Sequence, residues 1–286
     1  MDNISAIILA IALFVIMLGM GLSLVTNDFK NILLNPKAIF VGLMNQLILL
    51  PLLSLALVLI FPLQPEIAIG IILIAACPGG PTSNLISFMA KADLALSVSL
   101  TAFSSLITVL TIPFFVNFAL SYFLEENAEI ELNILQTIGQ MLVIVILPIV
   151  VGMFIRGRAP EFALRMGKPV RIASGVILVL IIIGLIIKER ANFTSYFQQA
   201  GLATFLLNIA TMLVGFGTAK LFKLERRQAF SIAIESGIQN GTLAITIAVV
   251  LLGNTAFAIA LSVYSVLMFL TGGFVIFLSL RKQPKS

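Results

Sequence analysis

Apolar runs long enough to cross a membrane follow one another along this chain, and nearly every charge falls between them. The runs lie near residues 4–26, 36–62, 67–90, 94–123, 133–155, 170–188, 200–222, 228–252 and 256–280. Each is long enough, as a helix, for about 30 Å of hydrocarbon. The reading is an all-α polytopic membrane protein with nine transmembrane helices, organised as a single domain over 1–286. The chain is 60% hydrophobic and 10% charged, with a mean hydropathy of +1.17. An ordinary soluble domain carries about 25% charged residues, so that class is excluded. The first run is read as a span, because it is too long for a signal peptide and no basic segment precedes it.

Loop charge tests the count. With the C-terminus inside, fifteen of the seventeen basic residues fall on the cytoplasmic side. They are Lys30 and Lys37; Lys91; Arg156, Arg158, Arg165, Lys168 and Arg171; Lys220, Lys223, Arg226 and Arg227; and Arg281, Lys282 and Lys285. Only Lys188 and Arg190 fall outside, together with the acidic loop Glu125, Glu126, Glu129 and Glu131. Adding or removing a span would scramble this alternation, which follows the positive-inside bias. The expected protein is a multi-pass component of the plasma membrane or cell inner membrane, with its N-terminus outside. The net charge of +5 is thereby a signature of orientation and not of nucleic-acid binding. Partners are then the lipid bilayer and small solutes, and no oligomer is required.

The single cysteine, Cys77, excludes an internal disulfide, and with no histidine the usual zinc, haem and iron–sulfur sites are excluded too. An intramembrane hydrolase would need a pair of aspartates, a His-Glu zinc motif or a Ser–His pair. The spans contain no aspartate and the chain no histidine, so the chain is not read as an enzyme. Pro51, Pro113 and Pro148 lie within spans and read as tolerated kinks.

Glu235 is the one charged residue that cannot be placed outside a span. A carboxylate at membrane depth costs at least about 2.5 kcal/mol and by default marks an ion or substrate pathway. It sits in Ile234-Glu-Ser-Gly-Ile-Gln-Asn-Gly-Thr242, a segment far too polar for a plain span. A second interruption, Cys77-Pro-Gly-Gly-Pro-Thr-Ser-Asn84, breaks the third run. Pro78, Gly79, Gly80 and Pro81 cannot continue a helix. Carbonyls around Ala75 to Cys77 are therefore expected to lack partners, and Thr82, Ser83 and Asn84 to cap the half-helix that follows. Gly237 and Gly241, flanking Gln239 and Asn240, imply the same stop and restart in the eighth run.

The third and eighth spans are five crossings apart, so equivalent helices run in opposite directions. That is the pattern of an inverted repeat, here 4+5, with repeat one at about 4–123 and repeat two at about 133–280. Two broken, crossing helices in such a repeat mark a transporter's binding site near the midplane. Half-helix C-termini present carbonyls to a cation, and N-termini present partial positive charge to an anion. Ser97 and Thr101 share a face of the fourth span, and Gln46 in the second is expensive to bury without purpose. Neutral oxygens around one acid favour Na⁺ as the coupling ion. A proton-coupled organic-anion carrier on the same fold is the alternative.

With these motifs in place the chain resembles the bile acid:sodium symporter family, in particular its bacterial members. The resemblance covers essentially the whole chain and rests on Cys77–Asn84, on Ala95-Leu-Ser-Val-Ser-Leu-Thr101 and on Ile234–Asn240. It implies a core and a panel domain that move against each other and two Na⁺ as coupling ions. It further implies one sodium site from Ser83, Asn84, Ser97, Thr101 and Glu235. A second would use Gln46, Glu235, Gln239 and the carbonyls of Ser236 and Ile238. The cargo implied is an organic anion (bile-salt-like, or a small acid such as pantoate or a keto acid), with Thr82 and Asn240 as candidate contacts. Two departures stand out: the bacterial pattern often has an additional first helix, and Pro81 replaces a small hydroxyl residue beside the expected substrate pocket.

Overall fold

The computed structural model describes residues 3–124, 133–188, 190–191 and 193–281. Regular structure among them is helical, apart from one isolated antiparallel bridge. The helices are α1 (Asn3–Ser23), α2 (Thr26–Leu34), α3 (Pro36–Ile60), α4 (Pro65–Ala76), α5 (Pro81–Met89), α6 (Leu94–Phe123), α7 (Ile134–Arg158), α8 (Pro160–Lys188), α9 (Phe193–Leu221), α10 (Arg226–Gly237), α11 (Gly241–Leu251) and α12 (Phe257–Arg281). Among the described residues, five stretches are each long and apolar enough to cross a membrane: Pro36–Ile60, Leu94–Phe123, Ile134–Arg158, Thr194–Leu221 and Phe257–Arg281. Shorter apolar helices cover Ile7–Ser23, Pro65–Ala76, Gly175–Lys188 and Gly241–Leu251. The acidic loop at 125–131, Lys282 and Lys285 lie outside the described residues.

Local chemistry explains several boundaries. α8 starts at Pro160, well before the expected residue 170, so Arg165, Lys168 and Arg171 lie on helix and not in a loop. Proline suits the first helical position, and Glu161 in the first turn complements the helix dipole. α6 is capped by Asp93, whose carboxylate accepts the Leu96 N–H at 3.1 Å. α10 starts with a reciprocal capping box between Glu225 and Gln228. Pro51 and Pro148 each follow a π turn, Asn45–Leu49 and Leu142–Ile146. The missing N–H and the bulky ring disturb the preceding turn, and the wider turn re-pairs it, with Leu50 N–H on Asn45 O and Leu147 N–H on Leu142 O. The kinks expected there are thus single-turn insertions. Pro113 lies inside α6.

α1 packs on α7 and α8. A β-carbon at Gly21 would overlap the Ile149 carbonyl, and one at Gly152 would overlap that of Leu18. Helices in lipid gain little from the hydrophobic effect, so backbone-close contacts of this kind supply the packing. In a second group α4 lies against α3, α6 and α12, while α9 lies against α3, α10 and α12. α4 is buried from Ile67 to Ala76, as a helix apolar on every side must be. Phe257, Leu261 and Tyr264 of α12 are fully buried as well. By contrast α7 and α8 expose Val143, Phe154, Val179, Leu180 and Ile187, an apolar surface suited to lipid.

Candidate functional site

The two interruptions meet. Gly79, in the link between α4 and α5, forms an antiparallel bridge with Gln239, in the link between α10 and α11. The Asn240 N–H donates to the Pro78 carbonyl at 2.9 Å. Two strands of one or two residues therefore satisfy each other where each helix has stopped. The second break follows the sequence reading, with α10 ending at Gly237 and α11 starting at Gly241. Asn240 caps α11, its side-chain oxygen accepting the Leu243 N–H at 3.1 Å.

Two expectations about the first break are corrected. The Cys77 carbonyl has a partner, because Gln46 Nε2 donates to it at 2.7 Å. Thr82, Ser83 and Asn84 do not cap α5; Gly80 is the N-cap, with no side-chain cap bond, and the helix starts at Pro81. A proline pre-set for the first helical position moves the boundary ahead of the polar residues. Ser83 instead donates back to the Gly80 carbonyl at 2.7 Å.

Glu235 stands at the centre of the crossing. It is the only Asp, Glu, Lys or Arg that is buried among the described residues, at 2% exposure. Thr101 donates to its Oε1 at 2.5 Å and Ser97 to its Oε2 at 3.2 Å. Both hydroxyls also reach Asn84 Oδ1, at 3.2 and 2.9 Å. Ser83 lies 3.4 Å from Thr101. The Thr101 hydroxyl is 3.0 Å from the Ser97 carbonyl too, and one proton cannot serve three acceptors. The five residues predicted for the first sodium site thus form one connected oxygen cluster. Among the described residues no Lys or Arg pairs with Glu235. Gly79 is needed for this approach, since a β-carbon there would overlap the Glu235 carboxylate.

The residues predicted for the second site lie beside it. Gln46, on the π turn of α3, donates to Gln239 Oε1 at 2.8 Å as well as to Cys77. Gln239 Nε2 donates to the Ser236 carbonyl at 2.9 Å and lies 3.3 Å from that of Glu235. Ile238 is extended, with φ −105° and ψ 95°, and follows α10 directly. Both clusters consist of hydroxyl, amide, carbonyl and carboxylate oxygens, a set suited to a hard monovalent cation. No group of three His, Cys, Asp or Glu residues is found among the described residues.

Asn240 is buried and its Nδ2 has no hydrogen-bond partner among the described residues. Thr82 is half-buried in the first turn of α5. A cavity of about 320 Å³ lies between α1 and α8 on one side and α5 and α6 on the other, lined in part by Met20, Ser23, Pro81, Asn84, Val98 and Val170. Pro81, the noted departure, faces that cavity. A larger, mainly apolar cleft of about 810 Å³ opens at the other end of the α1–α8 pair, between Ile8, Ile181, Lys188 and Val249.

Two residues at the crossing are not among those the sequence singles out above. Asn208 of α9 and Tyr264 of α12 both donate to the Gly237 carbonyl, at 2.6 and 2.9 Å. Asn208 was legible in principle as an amide inside an apolar run, by the same reasoning that singled out Gln46.

Residues 10–196 match the Sodium Bile acid symporter family. The chain is 32% identical over 245 residues to the uncharacterized sodium-dependent transporter YocS of Bacillus subtilis, covering 84% of this chain and 73% of that protein. It is 30% identical over 277 residues to the probable chloroplastic sodium/metabolite cotransporter BASS1 of Arabidopsis thaliana, covering 96% and 67%. Over 241 residues it is 27% identical to the human ileal sodium/bile acid cotransporter, covering 84% and 68%.

Proposed function

Because the chain belongs to the sodium bile acid symporter family, we propose that it carries an organic anion across the membrane with two Na⁺, by alternating access. The family and the relatives named above are transporters, and the chain is a transporter and not an enzyme. The observation that carries the coupling reading is the Glu235 cluster: one buried carboxylate, no cationic partner among the described residues, two hydroxyls on its oxygens and an amide oxygen on those hydroxyls.

One sodium would be held by Ser83, Asn84, Ser97, Thr101 and Glu235. The other would be held by Gln46, Glu235, Gln239 and the carbonyls of Ser236 and Ile238. Ser97 and Thr101 now spend their protons on Glu235 and Asn84. A bound cation would turn those hydroxyls so that lone pairs face the ion. Glu235 shared between both ions makes their binding cooperative, since one anion lowers the energy of two cations.

Nine spans in a 4+5 inverted repeat are the membrane arrangement proposed, with the N-terminus outside and a panel of α1, α7 and α8 against a core of the other long helices. The two clefts at opposite ends of the α1–α8 pair support access from alternate sides. The anion would sit near the starts of α5 and α11, where helix dipoles favour negative charge. There the free Asn240 amide and Thr82 would contact it. Cargo of the bile-salt class or a smaller carboxylate such as pantoate or a keto acid fits this chemistry, and Pro81, lacking both hydroxyl and N–H, narrows the polar contacts available.

The test is a thermal-shift screen of purified protein against organic acids, with NaCl replaced by KCl at constant ionic strength. A stabilising acid should act only with sodium present. Stabilisation and uptake that ignore sodium and follow a pH gradient would replace this reading by the proton-coupled one.

A further inference from the structure

The Gly237 carbonyl closes the first half of the second broken helix, and two side chains outside both oxygen clusters are aimed at it. Asn208 Nδ2 donates from α9 and the Tyr264 hydroxyl from α12. Both residues are fully buried. Polar groups placed so deep need a partner to offset their desolvation. Gly237 also lies in the middle of the run Glu235, Ser236, Ile238 and Gln239, every member of which is a candidate ion ligand.

The first break has a matching arrangement with different chemistry. Cys77 and Gly237 each stand two residues before the bridge formed by Gly79 and Gln239. The helices after the two breaks start at Pro81 and Gly241. At Cys77 the carbonyl takes one amide donor, Gln46, from α3, the long helix before the break. At Gly237 the amide is Asn208, from α9, the long helix before that break. The helices after the breaks complete the comparison: α6 offers Thr101 to the Glu235 carboxylate, and α12 offers Tyr264 to the break carbonyl itself. Gln46 is thus a donor that also faces a candidate ion position, whereas Asn208 and Tyr264 do not touch one.

We propose that Asn208 and Tyr264 are positioning residues for sodium. They fix the end of α10 with permanent N–H and O–H donors, so that residues 235–239 are held in ligand geometry before an ion arrives. Without them the carbonyl would be left unpaired in an apolar interior, and the turn carrying the ligands would reorient to find a partner. Part of the sodium binding energy would then be consumed in restoring the turn.

This proposal rests on the sodium-coupled reading, and its test needs no known cargo. Tyr264→Phe removes one oxygen and keeps the ring; Asn208→Leu keeps the approximate size and removes the donor. Tyr122→Phe, at an exposed position on α6, serves as control. Melting temperature is followed against NaCl at constant ionic strength, with KCl as replacement, for each variant and for the Tyr264→Phe, Asn208→Leu pair. The half-saturating sodium concentration should rise about threefold to tenfold for each single variant, following the loss of one buried hydrogen bond, and further for the pair. Tyr122→Phe should superimpose on the parent protein. A purely structural role would lower melting equally at every sodium concentration and leave half-saturation unchanged, which would overturn the proposal. A parent protein indifferent to sodium would sink the coupling reading and this proposal with it. A responsive parent with superimposed variants would sink the proposal alone.

Discussion

Glu235 is the residue on which the proposed coupling turns. Two unit charges 4 Å apart attract by about 4 kcal/mol at an effective dielectric of 20, roughly a thousandfold in affinity. Glu235→Ala should therefore reduce sodium affinity by about that factor and abolish sodium-driven uptake. Folding should be largely retained, because the change removes the only buried charge among the described residues and relieves its desolvation. Glu235→Gln keeps the size and one carbonyl oxygen and should bind sodium weakly. Sodium titrations of melting and uptake check both variants, with expression level as control. If Glu235→Ala transported with the parent's sodium dependence, the carboxylate would be structural and the mechanism wrong.

At the scale of the elements, the proposed site depends on two broken helices passing within a side chain of each other. Gly79 allows this: a β-carbon there meets the Glu235 carboxylate, whereas one on Gly80 meets Asn240 at 3.5 Å, an ordinary contact. Gly79→Ala should raise the half-saturating sodium concentration at least roughly tenfold, by displacing the shared ligand. Gly80→Ala should change it less than about threefold, since no polar ligand is moved. Equal effects from the two, read in the same sodium titration, would mean that backbone stiffness and not approach to Glu235 governs the site. The π turn at Asn45–Leu49 belongs to the same design. Pro51 denies the helix a donor, the turn widens, and Gln46 is carried on that widened turn toward both Cys77 and Gln239.

For the whole molecule the predictions concern the membrane. The bias of fifteen basic residues to two predicts a cytoplasmic C-terminus and an external 125–131 loop. Reporter fusions at Ser286 and within that loop should give opposite sides, and the same side for both would refute the nine-span arrangement. If two Na⁺ accompany a monoanion, one net positive charge enters per cycle. The membrane potential then contributes about 2.3 kcal/mol per 100 mV, close to fiftyfold in accumulation. An inside-negative diffusion potential in proteoliposomes should accelerate uptake. Indifference to it would mean one Na⁺ per monoanion or a dianionic cargo.

The pattern of apolar runs and punctuating charges was sufficient, by itself, to determine a helical membrane protein. Lipid leaves the backbone no alternative partners, so length and hydropathy translate directly into helices. Proline, glycine and one stranded carboxylate were equally sufficient to locate the two breaks, because each violates what a spanning helix requires. Boundaries governed by local competition were less legible: Pro81 displaced the expected caps of α5, and Pro160 with Glu161 lengthened α8. Contacts between distant segments were decided only by the tertiary structure. That Gly79 pairs with Gln239, that Gln46 occupies the Cys77 carbonyl, and that Asn208 and Tyr264 converge on Gly237 depend on how helices far apart in sequence cross. Hydropathy records which residues leave water, and it carries no term for which buried donor meets which carbonyl.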